Sequence, residues 1–216
     1  LSRGIRPVSF EDVDVYPIPF FHKDEVVALY PERQEEIHSE EDAMRIVCED
    51  IRTHMDTGKR NIVMAHAFVV GAALSDSDRS ARVGQATAIS KDVFAGFDYV
   101  ALGHLHGPQQ VSRKTIRYAG TLLKYSFSEI HHKKSITIVE LREKGQVEVR
   151  QRPVHPLHDM RQLRGNYEEL VKRENYENTD TEDYLRIILS DEEDIYDAIS
   201  METCVNTRLT IGAPGV

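Results

Sequence analysis

The sequence contains no tryptophan and only two cysteines, Cys48 and Cys204, among its 216 residues. Two cysteines so far apart do not make a disulfide scaffold, and such scarcity is typical of a reducing cytoplasm. Long hydrophobic runs are also missing. No apolar stretch approaches the roughly 20 residues that a membrane-spanning helix needs, and no signal-peptide pattern opens the chain. We therefore expect a cytoplasmic protein with no membrane segment.

The net charge of −9 argues at first against a protein that binds nucleic acid. The charge is unevenly distributed, however. Residues 166–202 hold 13 acidic and 3 basic side chains, whereas the rest of the chain holds 23 acidic and 24 basic ones. The acidity is thus confined to one late segment, and a bound metal ion would add positive charge that a residue count omits.

The length and the hydrophobic content of 40% predict one or two domains with a sizeable core. The sequence begins at Leu1 without a methionine, so we expect a fragment or a processed product. Alternation of helical and strand-like patterns predicts an α/β (α+β) fold. We predict helices at 24–30, 39–56, 90–94, 167–173 and 192–199 and strands at 13–20 (an edge strand or a strand end), 61–65, 98–102, 109–113, 116–119, 135–141, 146–151 and 184–189.

Histidines follow two of the predicted buried strands. Strand 61–65 is followed by His66, and strand 98–102 by Gly103, His104, Leu105 and His106. Two residues separated by one point the same way from an extended chain, so His104 and His106 can face one cavity. A single histidine at a strand end is more often a hydrogen-bonded structural residue. Three of them at the ends of buried strands predict a metal site.

The sequence around these histidines resembles that of a known family. Met64-Ala-His66 and Gly103-His104-Leu-His106 are similar to the last two metal motifs of the calcineurin-like metallophosphoesterases. The segments Tyr16–Phe21, Asp98–Gln109 and Ile116–Glu129 resemble the SbcD-type nuclease subunits within that family. The resemblance implies part of a four-layer α/β/β/α sandwich at 1–152 and part of a small α+β capping domain, which guides DNA, at 153–216.

The resemblance also implies a metal centre and partners. His66 and His104 would bind one ion and His106 a second, with manganese favoured and magnesium, iron or zinc as alternatives. An intact protein of this family would be an exonuclease and endonuclease that hydrolyses phosphodiesters at DNA ends and hairpins, in double-strand break repair, recombination and replication. It would act as a homodimer within a heterotetramer with the SbcC ATPase subunit.

Three further motifs of the family are not found in this sequence: Asp-x-His, Gly-Asp and Gly-Asn-His-Asp. The bridging aspartate, the asparagine ligand and the general-acid histidine are therefore not identified, and we predict no catalytic residue in this chain. We expect the chain alone to be a poor or inactive nuclease. Two alternatives stay open: a phosphoesterase for a small diester or a phosphoprotein, and a non-catalytic binding module whose histidines are structural or hold one zinc ion.

Candidate contacts to DNA are Arg117, Lys124 and Tyr125, because phosphate contacts are useful in the segment after the histidine loop. The basic cluster His131–Lys134 is interpreted as a solvated turn, with a contact to the phosphate backbone as the alternative. The loop at 67–81, which holds Asp76, Asp78 and Arg79, is interpreted as solvated rather than catalytic.

Overall fold

A computed structural model describes residues 1–80, 88–175, 177, 179–180, 182–191 and 208–212. The chain divides into two units. The first comprises residues 1–122 and 133–154, and the second comprises residues 123–132 and 155–216.

Among its described residues, the first unit contains a six-stranded sheet, a two-stranded hairpin and three helices. The sheet strands are β1 (Val8–Phe10), β2 (Val13–Ile18), β3 (Arg60–His66), β4 (Tyr99–Gly103), β5 (Gln109–Val111) and β6 (Arg113–Tyr118). The hairpin strands are β7 (Ser135–Leu141) and β8 (Val147–Pro153). The helices are α1 (Lys23–Leu29), α2 (Glu40–His54) and α3 (Asp76–Ser80), with 3₁₀ turns at Pro31–Glu36 and Lys91–Phe94.

Four strands of the sheet run parallel. The spatial order is β1-β2-β3-β4-β6-β5, in which β2, β3, β4 and β6 are parallel and β1 and β5 pair antiparallel at the two ends. The carboxyl ends of the parallel strands therefore lie along one edge of the sheet. In open α/β sheets, this edge is where ligands bind.

Helix α2 begins where the sequence predicts. Ser39 accepts a hydrogen bond from the backbone N–H of Asp42, and the Asp42 side chain accepts one from the N–H of Ser39, which forms a capping box. Residues at helical spacing along one side of α2 are buried in the core of this unit: Ala43, Met44, Ile46, Val47, Cys48 and Ile51. The side chains of the central strands that alternate toward the same core include Val63, Val100, Leu102, Ile116 and Tyr118.

The opposite face of the sheet is only partly covered. Arg60 and Met64 share this face because they lie at even spacing along β3. Arg60 donates a hydrogen bond to the backbone carbonyl of Leu141 in the hairpin at 3.0 Å, whereas Met64 is 50% exposed. The mixed α/β class is confirmed, while the second sheet layer of a four-layer sandwich stays a prediction, as do the domain bounds at 152 and 153.

Pro17 lies in the half of strand β2 that pairs with a neighbour on one side, and Pro19 follows the end of the strand. Strand β1 pairs with β2 only as far as Val15, so Pro17 lies beyond that antiparallel ladder. On its other side, Pro17 is opposite Met64 in the parallel ladder with β3. The expectation of an edge strand thus holds for the second half of β2 within the described residues.

In the second unit, the described residues form a three-stranded parallel sheet. Its strands are β9 (Met160–Gly165), β10 (Tyr184–Leu189) and β11 (Arg208–Gly212), in the order β11-β10-β9, and its helix is α4 (Tyr167–Leu170), with 3₁₀ turns at Phe127–Glu129 and Arg173–Asn175. Leu170, Leu185 and Ile187 form its small core. Helix α4 is shorter than the predicted helix at 167–173. The predicted helix at 192–199 lies outside the described residues.

Candidate metal centre

His66 and His104 meet at the carboxyl edge of the six-stranded sheet. His66 is the last residue of β3, and its partner in the parallel ladder is Gly103, the last residue of β4. His104 follows directly. The Nε2 atom of His66 lies 3.4 Å from the Nδ1 atom of His104, and the two rings are nearly perpendicular, with an interplanar angle of 85°.

The spacing of these two nitrogens fits a shared metal ion. Histidine nitrogens lie about 2.1 Å from a bound transition metal. Two such ligands are therefore about 3.0 Å apart at a coordination angle of ~90° and about 3.4 Å apart at ~109°. Desolvation lowers the pKa of His66 below its ordinary value, which favours the neutral imidazole that binds metals. The pair can thus supply two donors to one ion.

The backbone around this pair is shaped to bring the rings together. A Cβ atom at Gly103 would lie 3.1 Å from Nδ1 of His66, so glycine lets the imidazole approach the β4 backbone. His104 has a φ of 109°, a conformation that is rare for a residue with a side chain. Strained backbone of this kind is concentrated at functional sites. The Phe20 ring contacts His66 edge-on at 5.8 Å between centroids.

His106 does not join the pair. In the described part of the chain, no group of three or more His, Cys, Asp or Glu side chains is close enough to hold one metal ion. The N–H of His106 donates to Oδ1 of Asp78 at 2.9 Å, and its carbonyl accepts from Nζ of Lys134 at 3.0 Å. The assignment of His66 and His104 to one ion and of His106 to another stays a prediction.

Known proteins support the resemblance found in the sequence. No family model matches the chain. The chain is 33% identical to the SbcD subunit of the SbcCD nuclease of Staphylococcus saprophyticus over 184 residues, which are 85% of this chain and 48% of the relative. It is 29% identical to the protein of the same description in Staphylococcus epidermidis over 166 residues, 77% of this chain and 44% of the relative.

This chain is SbcD-like. It spans about half the length of the curated relatives that it matches.

In this SbcD-like chain, the sequence does not predict that Asp78 is buried against the histidine loop. The loop predicted at 67–81 contains helix α3, and Asp78 is only 3% exposed, so the interpretation as a solvated loop is wrong for this residue. Burial alone would raise the pKa of Asp78. Hydrogen bonds from Ser75 and from the His106 backbone outweigh it and lower the pKa below its ordinary value. Asp78 is therefore a buried carboxylate that holds the His106 backbone.

Lys134 is a second residue whose burial against the histidine loop the sequence does not predict. The sequence predicts a solvated turn or a phosphate contact at this position, but Lys134 is only 5% exposed. Its Nζ donates to the carbonyl of His106 and, at 2.8 Å, to Oγ1 of Thr121. The local sequence holds no signal for this role because the acceptors lie 28 and 13 residues away along the chain.

The three candidate DNA contacts of the SbcD-like chain differ in exposure. Arg117, in the first unit, is 9% exposed, and its buried Nε has no hydrogen-bond partner among the described residues. Lys124, in the second unit, has a side chain that is 10% exposed and forms a 2.8 Å ion pair with Asp159. Tyr125 is 68% exposed. Of the three, Tyr125 presents the most surface to a ligand, and all three stay predictions.

Proposed function

We propose that this chain forms part of a metal-dependent nuclease subunit that hydrolyses DNA phosphodiesters. The observation that carries the proposal is the His66–His104 pair, whose ring nitrogens lie 3.4 Å apart, a spacing that two ligands of one metal ion can have, at the edge of the sheet where the parallel strands end. The similarity of the chain to two proteins described as SbcD subunits of the SbcCD nuclease supports the same activity.

The residues of the chain have separate tasks in this proposal. His66 and His104 hold one ion, and His106 contributes to a second. When bound, the metal ions activate a water molecule and stabilise the charge that develops on the phosphate. Imidazole donors also suit zinc and iron, so the ligands alone do not decide which metal binds. We propose manganese on the basis of the resemblance to the family. Tyr125 can stack on an exposed base, as aromatic side chains do in proteins that bind single strands.

We further propose the setting in which the activity is used. The names of the relatives point to assembly with an SbcC ATPase subunit, and we propose a homodimer of the nuclease subunit within that complex. The substrates would be DNA ends and hairpins in double-strand break repair, recombination and replication. A cytoplasmic location is part of the same proposal. Among the described residues, no helix is long and apolar enough to cross a membrane.

Metal content after manganese loading is the first test. It is measured by elemental analysis on the chain and on the longest open reading frame that contains it. We expect about two manganese ions per chain in the longer protein, by analogy with two-metal phosphoesterase sites, and little on the chain alone. His104→Ala should abolish binding of the first ion, whereas His155→Ala, an exposed residue of the second unit, should leave it unchanged.

The substrate is tested on the longer protein with linear DNA and a small chromogenic phosphodiester. Manganese-dependent cleavage of DNA supports the proposal, and hydrolysis of the diester without cleavage of DNA contradicts it in favour of a small-molecule phosphoesterase.

One observation favours a non-catalytic alternative. The described residues bring together only two candidate metal ligands, which alone would not build a two-metal centre. A single zinc ion on the chain, bound equally tightly in the longer protein, would overturn the nuclease and support a binding module.

A further inference from the structure

The backbone of His106 is hydrogen-bonded on both sides by residues from distant parts of the chain. Its N–H donates to Asp78, at 2.9 Å. Its carbonyl accepts from Lys134 at 3.0 Å and from the N–H of Thr121 at 3.1 Å. We call Asp78, Thr121 and Lys134 the His106 clamp. All of its members belong to the first unit.

The charged members of the His106 clamp are buried. Asp78 is 3% exposed and Lys134 is 5% exposed. Buried charges are rare because leaving water costs free energy, and they are retained where hydrogen bonds compensate for that cost. Lys134 reaches two oxygen acceptors, the carbonyl of His106 and the hydroxyl of Thr121. Its ammonium group is thus directed at the histidine loop rather than at solvent.

The His106 clamp fixes the direction in which the His106 side chain leaves the backbone, and it makes no contact with the metal ion itself in this proposal. One bond holds the peptide group before the Cα of His106, and the others hold the peptide group after it. With both peptide planes fixed, the φ and ψ angles of His106 are fixed, and so is the direction of its Cα–Cβ bond. Gly120 also packs closely against this backbone, since a Cβ atom there would lie 2.8 Å from the His106 carbonyl oxygen.

We propose that Lys134 and Asp78 are positioning residues that orient the His106 imidazole toward the second metal ion. The proposal rests on the proposed function, in which His106 is a metal ligand. In this proposal neither residue would be a metal ligand; each acts through the backbone of His106. Preorganised ligands bind metals more tightly because they lose less freedom on binding, and loss of a supporting residue typically weakens metal affinity about 10- to 100-fold.

The test compares Lys134→Met with Lys133→Met. Methionine keeps much of the length of the lysine side chain but cannot donate to the His106 carbonyl, and Lys133 is the exposed neighbour that serves as the matched control. Manganese is titrated into the longest open reading frame that contains the chain, and free Mn²⁺ is counted by electron paramagnetic resonance. We expect Lys134→Met to weaken the second ion at least about tenfold and to leave the first unchanged.

A rescue variant separates positioning from bulk structure. Asp78→Asn keeps an oxygen that can accept from the His106 N–H but places an amide NH2 where the second carboxylate oxygen accepts from Ser75, whereas Asp78→Ala keeps neither acceptor. We expect Asp78→Asn to retain the second ion better than Asp78→Ala, which should lose at least about tenfold in affinity. Equal affinities for the second ion in wild type, Lys134→Met and Asp78→Ala would overturn the proposal.

A readout without metal distinguishes failure of this inference from failure of the proposed function. Hydrogen exchange of the His106 amide is measured in the metal-free chain. If wild type binds no manganese, the proposed function fails and exchange alone decides the positioning role. Exchange at His106 that is at least about tenfold faster in Lys134→Met than in Lys133→Met supports positioning, and equal rates overturn it.

Discussion

Replacing Gly120 with alanine tests how closely the segment after β6 is packed against the histidine loop. Gly120 has a φ of +74°, and a Cβ atom there would lie 2.7 Å from the backbone nitrogen of Pro108 and 2.8 Å from the carbonyl oxygen of His106. Both of these are backbone atoms, so no side-chain rotation relieves the contact. The loop must move if the alanine is to fit.

The expected cost has three parts. Left-handed backbone costs a residue with a side chain about 1–2 kcal/mol. Overpacking against a rigid surface adds about 1–3 kcal/mol. Alanine has less conformational freedom than glycine in the unfolded chain, and this offsets about 0.4–1 kcal/mol of the lost stability. We therefore expect Gly120→Ala to lower the free energy of unfolding by about 1–4.5 kcal/mol, with the overpacking part the largest.

Gly145→Ala is the matched control. Gly145 lies in the β7–β8 turn of the same unit and has a φ of +82°, and a Cβ atom added there would meet no other atom within 4 Å. Gly145→Ala should have the cost of left-handed backbone but not that of overpacking. The difference in unfolding free energy between the two variants therefore measures the contact with the histidine loop, and we expect about 1–3 kcal/mol.

The measurement is urea unfolding, in which both glycines report on the same transition of the first unit. Far-UV circular dichroism is the appropriate signal, because the chain has no tryptophan. Equal losses of stability in Gly120→Ala and Gly145→Ala would refute the close approach of Gly120 to the His106–Pro108 backbone.

Three further substitutions test the described structure by urea unfolding. Ser39→Ala removes the N-cap of α2 and should cost about 1 kcal/mol. Asp14→Asn removes the charge that Lys59 bonds at 3.0 Å and should cost about 1.5–3 kcal/mol near pH 7. Burial raises the pKa of Asp14, but its hydrogen bonds outweigh burial and lower the pKa below 3.8, so this cost should be full above that pH and disappear as the pH falls through the folded-state pKa. Tyr118→Phe leaves the buried N–H of Val69 without its 2.8 Å acceptor and should cost about 1–3 kcal/mol; a loss below about 0.5 kcal/mol would contradict the bond.

Local signals are sufficient for the elements that depend on neighbours in sequence. Helix α2 follows from the capping box at Ser39 and from apolar residues at helical spacing. Strands β3 and β4 follow from apolar runs that end at a histidine and at a glycine, and these same runs predict where His66 and His104 lie. That their nitrogens are 3.4 Å apart requires the parallel register of the two strands, which no local pattern specifies.

Elements that depend on distant pairing do not follow from local signals. Strand β9 lies in a segment for which the sequence predicts no element, because polar residues interrupt its apolar pattern, yet it pairs in parallel with β10 along its whole length. Strand β11 lies in a segment whose residues predict no element, and it pairs with β10 in the same sheet. The burial of Lys134 likewise depends on acceptors that the fold alone supplies.

The hydrogen bond between Lys134 and Thr121 has a consequence for how the chain tolerates changes in length. The two residues flank residues 123–132, the segment that belongs to the second unit. The 2.8 Å bond joins the two ends of this segment at its base. Lengthening a flexible closed segment adds little entropic cost, about 0.6 kcal/mol per doubling. Insertions between these two residues should therefore leave the register of the strands that carry the histidines unchanged.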